Sequence, residues 1–351
     1  MSLPLKGIIV LDLTMFVAGP FGSMILSDLG AEVIKIEPLN GDPLRSNHSG
    51  GQINQENAQF HSYNRNKQSL CLDLKSEIGK KLFYDLVLKS DIVFNNFRPG
   101  VTDRLGISHR NLSKINKKII SCSLSAFGQN GPWKEKPGYD LIVQALGGGM
   151  SLTGHNETGP AHIPFHLGDT AGGLYATIGI LAALADRQRT GLGRNVDISM
   201  LDAQISLLGD VITNYSVSKE TPEMHGSGHP DFFPYQAFST ADEPLVIAAV
   251  GVEKFWINFC KVMGREDLVE DKEYKNNILR VKNRKKLECI FSKIFLKDKR
   301  DNWLDKLTNN DIPCAPILSA TEAIKTPQVL SRGMVQNYNI NSNRYLIAGN
   351  P

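Results

Sequence analysis

Cysteine is scarce. The 351-residue chain has five (Cys71, Cys122, Cys260, Cys289 and Cys314), odd in number and widely scattered. With no Cys-x-x-Cys and no Cys/His spacing suited to zinc, neither a disulfide framework nor a metal site is expected, and the thiols read as reduced core filler. An excess of charge of one sign is missing too. The formal balance of +3 is too small to imply nucleic acid or an anionic membrane as a partner. No apolar stretch reaches membrane-spanning length free of charges, and the N-terminal MSLPLKGIIVLDLT carries no signal-peptide cleavage pattern. A cytoplasmic protein is expected.

What remains is ordinary globular composition, 41% hydrophobic and 21% charged. The length predicts about two domains. GIIVLDLT (7–14) is a β-branched apolar run suited to a buried parallel strand. FGSMILSDLG has helical spacing with Gly30 as its stop, and AEVIKIE (31–37) is the next strand, giving a βαβ unit. A helix over 76–90 with Ser76 as cap, strands at 91–96, 117–127 and 194–199, and an apolar helix over 170–189 continue the alternation. MLDAQISLLGDVITNY reads as one further helix. The fold class is therefore α/β, with a large doubly wound, Rossmann-like parallel-sheet domain over 1–224. Strands at YQAFS and LVIAAV, mixed with helices near 253–263 and 301–308, predict a smaller α+β domain over 225–330.

Candidate chemistry is uneven. Glu37 ends the second strand, where a dinucleotide fold places its ribose carboxylate. The preceding turn, however, reads VAGPFG rather than Gly-x-Gly-x-x-Gly, which argues against NAD. Asp169, in HLGDTAGG, sits at the start of the long apolar helix. Its plain reading is a helix N-cap. Its chemical reading is a nucleophile, kept ionised by helix amides and left uncrowded by Gly168, Gly172 and Gly173. Arg98 and Arg104 flank a Pro-Gly turn just past a strand end, where phosphate binders are expected; surface arginines are the alternative. His225 and His229 lie in a Gly/Pro-rich loop that forbids a helical metal pair and reads as a mobile flap.

Taken together, LDLTMFVAGPFGSMILSDLGAEVIKIE, NRNKQSLCLDLK, NNFRPG, SAFGQNGPW, PGYDLIVQALGG, LGDTAGGLYATIGILAALADRQRTGLGRNVDISMLD, HPDFFPYQAFSTAD and IPCAPI resemble the class III CoA-transferase family in order and spacing, across almost the whole chain. The resemblance implies a CoA-transferase that moves CoA between an acyl-CoA and a small carboxylic acid, with Asp169 as covalent nucleophile. Aspartyl anhydride and aspartyl-CoA thioester intermediates follow from it. It implies CoA contacts at Ala18, Leu72, Asp73, Leu74, Lys75, Asn96, Phe97, Arg98, Arg104 and Tyr139, and a flap at Gly226, Ser227 and Gly228. CoA is then a substrate, and no tightly bound cofactor is expected. Lys75, Arg98 and Arg104 suit its phosphates, and LCLDL offers adenine an apolar edge.

Several transferases carry Gln where this chain has Val17, so the oxyanion donors are sought in backbone amides at Thr170 or near Gly226 to Gly228. Family members form interlocked homodimers, and 331–351 reads as the start of a C-terminal return segment, expected to be truncated at AGNP. Racemases of the family carry Gly-His-Asp where this chain has Gly138-Tyr139-Asp140, and Tyr is the weaker base near neutral pH. An acyl-CoA racemase and a non-catalytic CoA-binding protein are the alternatives.

Overall fold

Short strands build the framework, the central ones apolar and buried on both faces. The computed structural model describes residues 3–46, 50–249, 251–340 and 343–351. Strands β1 (Ile9–Asp12), β2 (Glu32–Glu37), β3 (Lys67–Cys71), β4 (Ile92–Asn95), β5 (Ile120–Ser125) and β6 (Asn195–Ser199) form one parallel sheet in the order β3-β2-β1-β4-β5-β6. The order reverses between β1 and β4. In doubly wound sheets that switch point opens a crevice beyond the carboxyl ends of the strands.

The helices of five or more residues in this unit are α1 (Ala18–Asp28), α2 (Ala58–Asn64), α3 (Glu77–Lys89), α4 (Val101–Leu105), α5 (His109–Ile115), α6 (Asp140–Leu146), α7 (Leu167–Thr190), α8 (Met200–Leu207) and α9 (Gly209–Ser218). The pleat sends alternate strand residues to opposite faces. Val10, Ile92 and Phe94 join Leu26 of α1 and Ala176 and Ile180 of α7 in one core. Leu11 and Val93 join Phe83 and Val87 of α3 and Leu112 of α5 in another. The two layers follow directly from that period of two.

Helix α7 is long and apolar enough, by composition alone, to cross a membrane, but half of that stretch is buried inside the protein. It is a core helix. Glycine lets it approach α1: a Cβ on Gly173 would stand 2.6 Å from the Ala18 carbonyl oxygen, and one on Gly22 would stand 2.9 Å from the Gly173 carbonyl oxygen. Gly172 meets Met200 and Leu124 in the same way. These glycines serve packing rather than clearing space around a carboxylate, which corrects the sequence expectation for Gly172 and Gly173.

Buried charge ties the β1–α1 loop to the sheet. Lys67 of β3 pairs with Asp12 at 3.0 Å and donates to the Pro20 carbonyl, Ser23 Oγ and Asn64 Oδ1. Lys35 of β2 pairs with Asp42 at 2.9 Å and donates to the Thr14 carbonyl at 2.7 Å. Burial alone would raise the Asp12 carboxyl, but Lys67 and Lys35, with hydrogen bonds from Thr14 and Ser23, bring it down to about 2. Every member of the cluster has a partner, as buried charges require.

The larger compact unit comprises Met1–Thr153, Pro160–Pro222 and Gly333–Pro351, the smaller Gly154–Gly159 and Glu223–Arg332. In the smaller, β7 (Tyr235–Phe238), β8 (Leu245–Ala248) and β9 (Cys314–Pro316) form an antiparallel sheet in sequence order. Helices α10 (Glu253–Val262), α11 (Asn277–Lys282), α12 (Arg284–Phe295) and α13 (Arg300–Thr308) accompany it over a core rich in Trp256, Phe259, Phe291 and Phe295. Val250, last residue of LVIAAV, lies outside the described residues. A hairpin of β10 (Val335–Ile340) and β11 (Asn343–Ala348) belongs to the larger unit, where Tyr338 packs on His61 of α2 at 5.9 Å between ring centroids.

Three elements differ from expectation. The apolar helix starts at Leu167, three residues early. The run expected as one helix over 200–215 breaks at Leu208 into α8 and α9. Strand β3 was not foreseen: among the described residues it pairs only with β2, and its residues 68–71 are exposed, so no apolar alternation marks it.

Candidate active site

Beyond the carboxyl ends of β1 and β4 the larger unit holds two adjoining cavities, both lined by Met15, Phe97 and Val101. The first is also lined by Ala18, Asn96, Arg98, Tyr139 and Asp169. The second adds Leu72, Asp73, Leu74, Lys75 and Arg104. Residues far apart in sequence thus meet at the switch point, and the positions that the resemblance assigned to CoA all line one cavity or the other.

The wall between β1 and α1 is held rigidly. The Asn96 side chain accepts from the Met15 amide at 2.9 Å and donates to the Met15 carbonyl at 2.7 Å. Its amide therefore braces the loop. Phe16 adopts a left-handed φ of +65°, which costs a non-glycine residue of order 1 kcal/mol. Its ring stands edge-on to Tyr139 at 6.4 Å, both at the first cavity. Val17 follows, buried, and its side chain offers no hydrogen-bond donor to an oxyanion.

In the second cavity Asp73 folds a tight turn, its Oδ1 accepting from the Lys75 amide at 2.9 Å. Ser76 then caps α3 by accepting from the Gly79 amide, as the sequence predicts. Leu72 and Leu74 supply apolar surface. Among the described residues, Lys75, Arg98 and Arg104 pair with no carboxylate. Cations without protein counterions at a strand-end crevice suit a phosphorylated ligand. Glu37 differs: its carboxylate accepts two hydrogen bonds from Arg45, one from Ser69 and one from the Asp42 amide. That commitment accounts for the residue that had pointed toward NAD.

Asp169 is the third residue of α7, not its N-cap. His166 precedes the helix and makes no capping bond. No hydrogen bond reaches the Asp169 carboxylate among the described residues. Burial first, and then the neighbouring Asp140 carboxylate, push its carboxyl up to about 7. The amides at the helix start bond elsewhere and supply this carboxylate with no donor, unlike the arrangement expected from sequence. The Thr170 amide is not a free oxyanion donor either, since it donates to the His166 carbonyl at 2.8 Å.

The first-turn amides are instead taken by Asp140, whose Oδ1 accepts from Gly168 at 2.7 Å and Asp169 at 3.2 Å. Sequence reasoning assigned Asp140 no role, although it sits in the quoted Gly138-Tyr139-Asp140 motif. Lys134 and Lys136, on the Gly/Pro-rich segment before it, also line the first cavity and were missed.

Gly226, Ser227 and Gly228 lie in the smaller unit, in the turn before β7. Gly226 takes a left-handed φ of +56°, Ser227 Oγ accepts from the Ala237 amide, and the Gly228 amide donates to the His225 carbonyl. Arg284 braces the segment that follows, donating to the carbonyls of His229, Pro230 and Phe232. His229 is engaged as well, accepting from the Asp231 amide.

Comparison with known proteins decides the family. The family model described as CoA-transferase family III matches residues 5–351. The chain belongs to CoA-transferase family III. It is 37% identical to the acetyl-CoA:oxalate CoA-transferase of Acetobacter aceti, over 99% of this chain and 88% of that protein. It is 38% identical to the succinyl-CoA:glutarate CoA-transferase of Mus musculus, over 96% of this chain and 77% of that one. A crystal structure of a CAIB/BAIF family protein from Brucella suis superposes with a TM-score of 0.86 at 32% identity, covering 100% of this chain and 96% of the other. This family III chain is accordingly a CoA-transferase, an enzyme acting on CoA thioesters.

Proposed function

We propose that the protein moves CoA from an acyl-CoA to a short dicarboxylic acid, with Asp169 as the covalent nucleophile. The observation that carries this reading is one half-buried carboxylate, free of hydrogen bonds among the described residues, in the cavity that holds unpaired Arg98 and adjoins unpaired Lys75 and Arg104. The second cavity holds the nucleotide end of CoA, with phosphates on Lys75 and Arg104 and adenine against Leu72 and Leu74. The pantetheine arm passes Phe97 and Met15, so that the thioester meets Asp169.

The exchange is a double displacement. The Asp169 carboxylate attacks the thioester carbonyl, and the C–S bond breaks to give an aspartyl-acyl anhydride and CoA thiolate. The thiolate attacks the aspartyl carbonyl, releasing the donor acid as carboxylate and leaving an aspartyl-CoA thioester. The acceptor carboxylate attacks that thioester, and the freed thiolate then attacks the acceptor carbonyl of the second anhydride. Asp169 is regenerated and no net proton is consumed. A dicarboxylate acceptor is supported by the relatives named for oxalate, glutarate and mesaconate, and by Lys134 and Lys136 in the first cavity. Mixing unlabelled succinyl-CoA with carbon-13-labelled dicarboxylates and following labelled acyl-CoA by mass spectrometry tests the reading. Hydrolysis without exchange, for every acid tried, would count against it.

Arg104→Ala is expected to weaken CoA binding by about 1.5–3 kcal/mol, an order of magnitude or more in Kd, because a charged phosphate contact is lost. Calorimetry on a folded variant checks this; unchanged affinity would make Arg104 a surface charge.

We further propose a homodimer. Leu141 and Leu146 of α6, Leu174 and Ile178 of α7, Ile205 of α8 and Ile212 of α9 are all exposed. Apolar exposure on this scale marks an interface. Light scattering at micromolar concentration is expected to give twice the chain mass; an active monomer would be the contrary result.

A further inference from the structure

Helix α7 is capped from another helix. First-turn amides have no intrahelical partner, and here Asp140, at the start of α6, reaches across to those of Gly168 and Asp169. Its second oxygen accepts from Gln144 Nε2 at 2.7 Å. Gln144 is buried and anchored in turn, accepting from the Ile163 amide at 2.9 Å and donating to the Ile163 carbonyl at 3.2 Å. Gly168 makes room for the arrangement: a Cβ there would stand 3.2 Å from Asp140 Oδ1 and 3.1 Å from the Gln204 amide. Two side chains and a glycine thus fix one carboxylate against one helix end.

We propose that Asp140 is a positioning residue for Asp169: it occupies the amides at the start of α7 and leaves the Asp169 carboxylate without amide donors, in the cavity, beside a fixed negative charge. The inference rests on the reading of Asp169 as nucleophile and adds how that carboxylate is made reactive. Amide donors stabilise a carboxylate and blunt it, whereas a like charge raises its affinity for a proton and for an acyl carbon.

Other ionisable groups surround the site. Tyr63 of α2 has its hydroxyl pushed up by burial and then by the Asp169 charge. His166, bonded to Gln59 at 2.9 Å, precedes Asp169 by three residues. Arg98, Lys134, Lys136 and Tyr139 line the same cavity. With all of these present, Asp169 still stands near 7, and Asp140 is the charged group responsible besides burial.

The test uses Asp140→Asn and Asp140→Ser, both uncharged and both still able to accept from helix amides. Full-length protein is mixed with succinyl-CoA alone, and the rate of adduct formation at Asp169 is followed by peptide mass between pH 5 and 9. In the wild type the rate rises with pH as Asp169 ionises. In the variants the midpoint is expected about one pH unit lower, because the like charge is gone. Some thermal stability is expected to be lost in both, because neither side chain can also accept from Gln144 Nε2, but the fold should survive. A purely structural cap leaves the midpoint at its wild-type value, and that result in whichever variant folds overturns the inference. Wild-type protein that forms no adduct at any pH overturns the nucleophile reading, and this inference with it. An adduct with an unmoved midpoint overturns this inference alone.

Discussion

Asp169→Asn is expected to lower CoA exchange by about a thousandfold or more, since it removes the group to which acyl and CoA become attached. The fold and CoA affinity should survive. Asp169 caps nothing, its amide remains bonded to Asp140, and the half-buried carboxylate it loses carried no hydrogen bond among the described residues. Removing it should leave the thermal midpoint unchanged or slightly raised. Asp169→Ser is expected to behave alike. Wild-type protein given acyl-CoA alone, then hydroxylamine, should yield a hydroxamate at Asp169, identified by peptide mass. An Asn variant with near wild-type exchange, and no hydroxamate from any donor, would sink the covalent mechanism.

The largest stability effect is expected away from the chemistry. Lys67→Met leaves Asp12 buried beside a hydrophobic side chain, with Lys35 as its remaining cation. Breaking one partner out of a buried pair costs about 3–5 kcal/mol. Denaturant unfolding should show that loss as a lower midpoint, and combining it with Asp12→Asn should recover much of it. A Lys67→Met protein as stable as wild type would mean the cluster is solvated in solution. In the wild type the depressed Asp12 carboxyl contributes stability above its unfolded value near 3.8, a contribution lost as pH falls through about 2. On the alkaline side burial, only partly offset by Asp12, brings Lys67 down to about 8, so the pair is expected to hold at neutral pH and to weaken as pH rises through that value.

Much of this framework is legible in the sequence. Strands β1 and β4 are short apolar runs because both faces are covered, β2 and β5 carry Val, Ile and Leu at alternate positions, and Ser76 announces α3 because its cap is local. What is not legible depends on partners distant in sequence. Strand β3 is polar and exposed, so only its pairing with β2 identifies it. Asp169 looks like an N-cap because Ser, Thr, Asp and Asn at helix starts usually are. The true cap lies 29 residues earlier, a relation no local pattern records. Gly172 and Gly173 looked like room for a ligand, whereas they are contact points between elements far apart in the chain. For the site, residue types were legible and their division of labour was not. Arg98 and Arg104 stand where the strand-end argument put them, while Asn96 braces Met15.

The crossing of α1 and α7 also bears on how such a protein diverges. Gly22 and Gly173 face each other so closely that a side chain on either would meet the other's backbone. Neither can be enlarged first, and enlarging both compounds the collision. A lineage has no single-step route out of that pair. The crossing is then a fixed point of the framework, and changes in the shape of the site are accommodated more readily at Met15, Phe16, Phe127 and Lys134, loop residues that line the first cavity outside the crossing.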